Sequence, residues 1–331
     1  MVRLFSKSSA MWLITSCLLV FAITLHLSFG AKSISMPQIW QALWSFDKGN
    51  FDHIIIAQMR VPRMLAAISV GAALSVAGSL MQGVTRNPLA DPGLLALMSG
   101  ASFGVIIGST VLGIEGDIWL PLLATIGALC AALLVFGITT FVPGGGGPAV
   151  LLLAGAAVSA FLAAMVSGIN LLNEESFVTF RVWLSGAITN NAAQMLPFAL
   201  PWLMVALLFA LLSAPQITAL SMGHETATGL GVNTKALSIR LLICVVVLTA
   251  AAVSICGPLG FVGLVVPHAT KLIVGSDYRR IVPFSAIIGS IFLLLIDLVS
   301  RLALAPVEIS TGVVTSLVGA PLFILLVRSV L

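Results

Sequence analysis

Ten apolar runs alternate with short polar stretches, at roughly 11–29, 62–82, 94–113, 118–141, 149–171, 194–213, 236–256, 259–274, 281–301 and 311–330. An α-helix needs about 20 apolar residues to cross a bilayer. Nine runs meet that need. The eighth holds Pro267, His268 and Lys271 and reads as a short or broken helix. An open sheet edge has no partners in lipid, so the pattern predicts an all-α membrane protein of about ten transmembrane helices. The first run follows VRLFSK, as in a signal peptide, but it is long and many spans follow it. It reads as an uncleaved first span.

One polar stretch differs from the others. Leu220 to Asn233 reads LSMGHETATGLGVN and lies between the sixth and seventh runs. A loop between spans need only close a gap. This one predicts a short helix, roughly Met222 to Thr228, stopped by Gly229 and Gly231. Met222, Ala227 and Leu230 form its apolar face. It is either an ordered loop without a partner or a docking surface for another protein.

Composition narrows the class. The 331 residues are 60% hydrophobic and 8% charged, with a mean hydropathy of +1.17. Soluble domains carry about 25% charged residues. The net charge of +4 is scattered, without a basic run, which argues against a nucleic-acid partner. Ten spans place both termini on one side. Nine Lys and Arg fall on that side and six on the other, and with the acids the balance is +6 against −2. That bias marks the side with the termini and the island as cytosolic. The longer outer stretches, 30–60 and 172–193, carry Trp40, Trp44 and Trp183, which suit helices lying along the lipid surface.

Chemistry-bearing groups are few. Arg60-Val-Pro-Arg63 opens the second run, with Pro62 suited to a first helical turn. Two arginines there would face the positive end of the helix dipole, at a cost of about 0.3–1 kcal/mol. Arg301 closes the ninth run on the same side, with Asp297 four residues earlier. The three arginines read either as interfacial cations snorkelling to headgroups or as a cluster for an acidic partner. Asn87-Pro88 and Asp91-Pro92 mark turns after the second run, and Gly144, Gly145, Gly146 and Gly147 form a loop on the same face. Both read as punctuation or as an inner gate. The glycine loop lacks the Lys-Ser/Thr ending of a phosphate-binding loop. Gly257 to His268 breaks the helical pattern at membrane depth. The lone His268 reads as structural rather than as a metal ligand. No nucleophile, paired-carboxylate or HExxH motif occurs, so no catalytic residue is assigned.

These segments, from about Arg60 to Arg328, together resemble the FecCD family, the permeases of ATP-driven iron-siderophore, haem and cobalamin importers. The resemblance rests on the order and spacing of several motifs. They are Arg60 to Arg63 with Val70 to Leu74; Gln82 with Arg86 to Ala90; Leu220 to Gly223 with Thr226-Ala227 and Gly229 to Val232; Gly257-Pro258 with Gly260 to His268; Asp297 with Arg301; and Glu308 followed by Thr311 to Thr315 and Gly319 to Pro321. The Gly-rich loop from Pro143 to Pro148 departs from the family pattern.

The resemblance implies the type II ABC importer permease fold, in a single transmembrane domain over 1–331. It implies a second permease subunit, of the same or a homologous chain, two ABC ATPase subunits on the cytosolic side and an extracytoplasmic substrate-binding protein. ATP and magnesium would lie on the ATPases, with no cofactor on this chain. The island would be the ATPase-coupling helices: Leu220, Ser221, Met222, Gly223, His224, Glu225, Thr226, Ala227, Gly229, Leu230, Gly231 and Val232. Arg60, Arg63 and Arg301 would meet glutamates of the binding protein. Asn87 and Leu89, with Gly144 to Gly147, would close the inner end of the pathway. Gly155, Ser159, Ala163, Thr315 and Gly319 would line it. The implied cargo is a ferric siderophore, with haem or cobalamin as alternatives. A secondary transporter driven by an ion gradient is the rival class, and it calls for ionisable groups within the spans.

Overall fold

The computed structural model describes residues 2–30, 32–114, 119–142, 148–171, 180–181, 183–189 and 192–328. Gly144 to Gly147, expected at the inner gate, lie outside these residues. Among the described residues there is no strand, and ten helices of 13 residues or more follow in order. They are α1 (Val2–Ser28), α2 (Val61–Thr85), α3 (Leu97–Thr110), α4 (Trp119–Phe141), α5 (Pro148–Asn170), α6 (Ala192–Ser221), α7 (Thr234–Cys256), α8 (Val262–Val274), α9 (Tyr278–Leu302) and α10 (Thr311–Arg328). Each corresponds to one apolar run. Because the helices alternate in direction, the chain has two ends. The arginine end holds the C-terminus of α1, the N-terminus of α2 and the C-terminus of α9. The island end holds the segment between α6 and α7.

The centre of the bundle is α2. From Val70 to Thr85 every residue is buried. A helix that is apolar all round belongs in a core, and α6, α7, α8 and α9 surround this one. Small residues let the backbones meet. A methyl group at Gly71 would overlap the Gly289 carbonyl of α9, and one at Gly78 would overlap the Gly263 carbonyl of α8. Without a hydrophobic drive between helices in lipid, such close contact is what holds them together. By contrast, little of α1 is buried. It is held by its flank on α9, where the Trp12 and Phe284 rings pack at a tilt of 39° with centroids 4.2 Å apart.

Seven helices are long and apolar enough to cross a bilayer, counting α2 with the helical segment before it; α3, α8 and α10 are shorter. The 13 residues of α8 extend about 20 Å, against a hydrocarbon layer of about 30 Å. Irregular backbone at 86–96 and 257–261 makes up the difference for α3 and α8. The turn at Asp91 and Pro92 folds back against Gly263, which itself packs on Gly78. Gly78 lies seven residues, or about 10 Å, inside α2. Non-helical backbone is tolerated at that depth because protein surrounds it.

Two boundaries differ from expectation. Helical structure begins at Phe51 and runs through a π-helical stretch, Ile55–Arg60, directly into α2. A normal turn there would set the Pro62 ring against the carbonyl four residues back, and the wider turn avoids this. Arg60 and Arg63 therefore lie inside a continuous helix, not at its N-terminus, and the expected dipole cost does not arise. The second difference is α6, whose 30 residues extend about 45 Å. It carries Leu220 and Ser221, which the sequence assigns to the island.

The predicted interfacial helix is present at Met36–Trp44. It buries Ile39 and Ala42 and exposes Met36, Trp40, Leu43 and Trp44. Its buried face joins Leu27, Ile34 and Ile56 in a small separate core.

Candidate functional site

At the island end, Gly223 at φ +127° breaks the path of α6, a conformation that suits glycine. A short helix, His224–Gly229, follows, two residues later than the sequence predicts. It closes by hydrogen bonds from the Leu230 N–H to the Thr226 carbonyl (3.1 Å) and from the Val232 N–H to the Ala227 carbonyl (3.0 Å). Gly231 adopts φ +80°, and the Asn233 side chain accepts from the Ala236 N–H (3.0 Å) to start α7.

The island is fastened to the bundle. Leu220 and Ala227 are fully buried. Just before it, the Thr218 hydroxyl lies 3.0 Å from Asp277 Oδ1 and also accepts from the Tyr278 N–H at 3.0 Å, tying α6 to the start of α9. The predicted apolar face thus divides. Ala227 turns inward, while Met222 is 68% and Leu230 67% exposed. His224, Glu225, Thr226, Gly229 and Gly231 are exposed around them. The result is an anchored knob with two uncovered apolar side chains.

At the arginine end a carboxylate is the hub. Asp297 of α9 is 0% exposed. Arg63 donates to it twice, Nε to Oδ2 at 2.9 Å and Nη2 to Oδ1 at 3.1 Å. His26 Nε2 lies 2.9 Å from Oδ2, and the Thr311 hydroxyl lies 3.2 Å from Oδ1. The Arg301 Nε is 3.4 Å away. Arg63 also reaches Glu308 at 2.8 Å, and Glu308 is half exposed.

The expectation of three outward docking cations meets a different arrangement. Arg60 and Arg301 are buried. Arg60 donates to the carbonyls of Leu27, Ser28 and Lys32. Arg301 donates to those of His26 (3.2 Å) and Phe29 (3.4 Å). The last carbonyls of a helix lack intrahelical partners and carry partial negative charge. These two arginines cap the C-terminus of α1. The predicted Asp297–Arg301 pair is present, but the bidentate partner of Asp297 is Arg63. Sequence reading missed His26, although a histidine inside an apolar span is itself a signal.

The expected pathway and gate residues are spread out. Ala163 lines a cavity of about 530 Å³ between α3, α5 and the segment around Arg181. A second, more open cleft of about 770 Å³ lies against α10 and the 257–260 break. Its α10 wall is Gly312, Val313, Ser316, Leu317, Ala320 and Pro321. Thr315 and Gly319 lie on the opposite face of α10 from this cleft. Thr315 is buried and donates to the Thr311 carbonyl (2.6 Å), and Gly319 packs on Phe261. Gly155 is buried and Ser159 partly so, and neither lines these two spaces. Asn87 accepts from the Leu89 N–H (2.9 Å) in a tight turn after α2, with Leu89 exposed.

Residues 18–329 match the model of the FecCD transport family. The chain is 36% identical over 325 residues to the probable siderophore transport system permease protein YfiZ of Bacillus subtilis, covering 97% of each chain. It is 37% identical over 313 residues to the ferric enterobactin transport system permease protein FepD of Escherichia coli, covering 94% of this chain and 92% of the relative. Among solved structures, an inward-facing metal-chelate type ABC transporter chain superposes with a TM-score of 0.85 at 28% identity, covering 97% of this chain and 99% of that one.

Proposed function

The chain belongs to the FecCD transport family, and on that premise we propose that it is the permease subunit of an ATP-driven importer of ferric siderophores in the bacterial cytoplasmic membrane. The island end faces the cytosol, as the Lys and Arg bias favours, so both termini are cytosolic. Two ATPase subunits hold ATP and magnesium, and each grips the island of one permease. A second permease, of the same or a homologous chain, completes the pathway. A substrate-binding protein docks at the arginine end. Docking goes through Arg63, whose partner Glu308 is open to solvent, while Arg60 and Arg301 set the end of α1 beneath it.

The observation that carries this reading is the island. Its anchors at Leu220, Ala227 and Thr218 transmit force, and its exposed Met222 and Leu230 offer something to grip. A knob that moved freely on its stem would couple nothing. ATP closes the ATPases, the islands move together, and the bundle alternates between outward and inward access. The turn at Asn87 and Leu89 closes the cytosolic mouth.

The test is uptake of a ferric siderophore by the reconstituted complex. Gly229→Pro with Leu230→Asp should abolish ATP-driven uptake while leaving the bundle folded. Uptake retained by that variant would refute the coupling role. Uptake that persists without ATPase subunits would instead favour a carrier driven by an ion gradient. Uptake of haem or cobalamin but of no ferric siderophore would move the substrate assignment within the same machine.

A further inference from the structure

The 530 Å³ cavity at the arginine end has a lining that neither lipid nor helix packing explains. Resting on the importer reading, we propose that it is an anion-recognition subsite for negatively charged iron chelates, those presenting catecholate or carboxylate oxygens, with Arg181 as its cation.

The polar groups converge from separate elements. Ser99 and Ser102 come from α3, and Ser167 and Asn170 from α5. Both helices are otherwise strongly apolar. The Asn170 Oδ1 is buried without a hydrogen-bond partner among the described residues. A buried amide in that state costs about 1–3 kcal/mol. An occupant that hydrogen-bonds the carboxamide, in either orientation of the amide, removes the cost.

Arg181 stands apart from the other arginines of this end. Arg60, Arg63 and Arg301 are all committed to carbonyls or carboxylates. Arg181 is exposed and lines the cavity, with no side-chain hydrogen bond or ion pair among the described residues. Among the described residues no Asp or Glu lines the cavity, so none of them compensates its charge. A guanidinium presents a planar fork to paired oxygens. That is the shape of a chelating catecholate or carboxylate edge. A neutral chelate of the same size has no charge to meet it.

The cavity also lies on a route. It shares Leu184 and Pro258 with the larger cleft along α10, so a chelate held by Arg181 borders the space through which cargo would descend. An arginine that merely snorkels to headgroups would discriminate between no cargoes.

The experiment uses the full chain in nanodiscs and two probes, the trianionic ferric tris-catechol complex and the neutral ferric tris-acetohydroxamate complex. Binding is read by quenching of the nearby Trp183. The wild type should prefer the trianion by about tenfold or more, the effect of one charge-assisted pair. Arg181→Gln should erase that preference and leave the neutral complex unchanged. Arg181→Lys should keep part of it, since it retains the charge and loses the fork. Added salt should weaken trianion binding in the wild type and not in the Gln variant. Equal wild-type binding of both probes, or a Gln variant that keeps the preference, would overturn the subsite. ATP-driven uptake in proteoliposomes, measured separately, judges the importer reading. Uptake without selectivity removes only the subsite, and selectivity without uptake removes only the importer.

Discussion

Asp297 and Leu230 stand at opposite ends of one bundle and in opposite environments. Asp297 is sealed from water and held by His26, Arg63, Arg301 and Thr311. Leu230 is two-thirds exposed, at the end of a short helix whose Ala227 is buried. The arginine end spends its charge internally, joining α1, α2, α9 and α10 at one carboxylate. The island end buries Leu220 and Ala227 and leaves Met222 and Leu230 uncovered. A buried, paired network is a joint, because removing one member leaves charges stranded. An anchored knob with an open apolar face has the form that the proposed coupling role requires.

That contrast predicts a graded series in stability. Asp297→Ala strands three cationic or potentially cationic partners and should cost about 3–5 kcal/mol, read as a fall in the melting temperature of the detergent-solubilised protein. An unchanged melting temperature would mean that water or lipid already compensates those groups. Ala227→Asp, placing a carboxylate beneath the island, should cost about 2 kcal/mol or more and open the 220–233 segment to limited proteolysis. His26→Phe keeps the volume near Asp297 and loses its hydrogen bond, for about 1–2 kcal/mol. Met222→Ser with Leu230→Ser should change stability by about 0.5 kcal/mol or less yet sharply lower ATP-driven uptake. Normal uptake by that pair would place the coupling surface elsewhere.

The reach of the sequence differed between the two ends. The island was legible because it is local: Gly223 and Gly231 provide its turns, Asn233 caps the next helix, and all lie within a dozen residues. Its start was misplaced because α6 continues through Pro215, where neighbouring helices rather than propensity hold the backbone. The arginine end was half legible. The Asp297–Arg301 pair follows from helical spacing, but His26 and Arg63 reach Asp297 from α1 and α2, 271 and 234 residues away. On α10 the expected residues, Thr315 and Gly319, and the residues that line the cleft occupy different faces. Thr315 is buried and Gly319 packs on Phe261, and only packing decides which stripe of a largely apolar helix meets a cavity.

Composition and the spacing of apolar runs determined that this chain is a bundle of ten helices in lipid, since backbone groups there must be paired within each helix. They determined also that something folded protrudes between the sixth and seventh. The tertiary structure alone decided that Arg60 and Arg301 cap α1, that Asp297 is a hub, and that Arg181 lines a cavity with no acidic partner among the described residues. Whether a charge is paired depends on groups far away in the chain, and no local pattern records that distance.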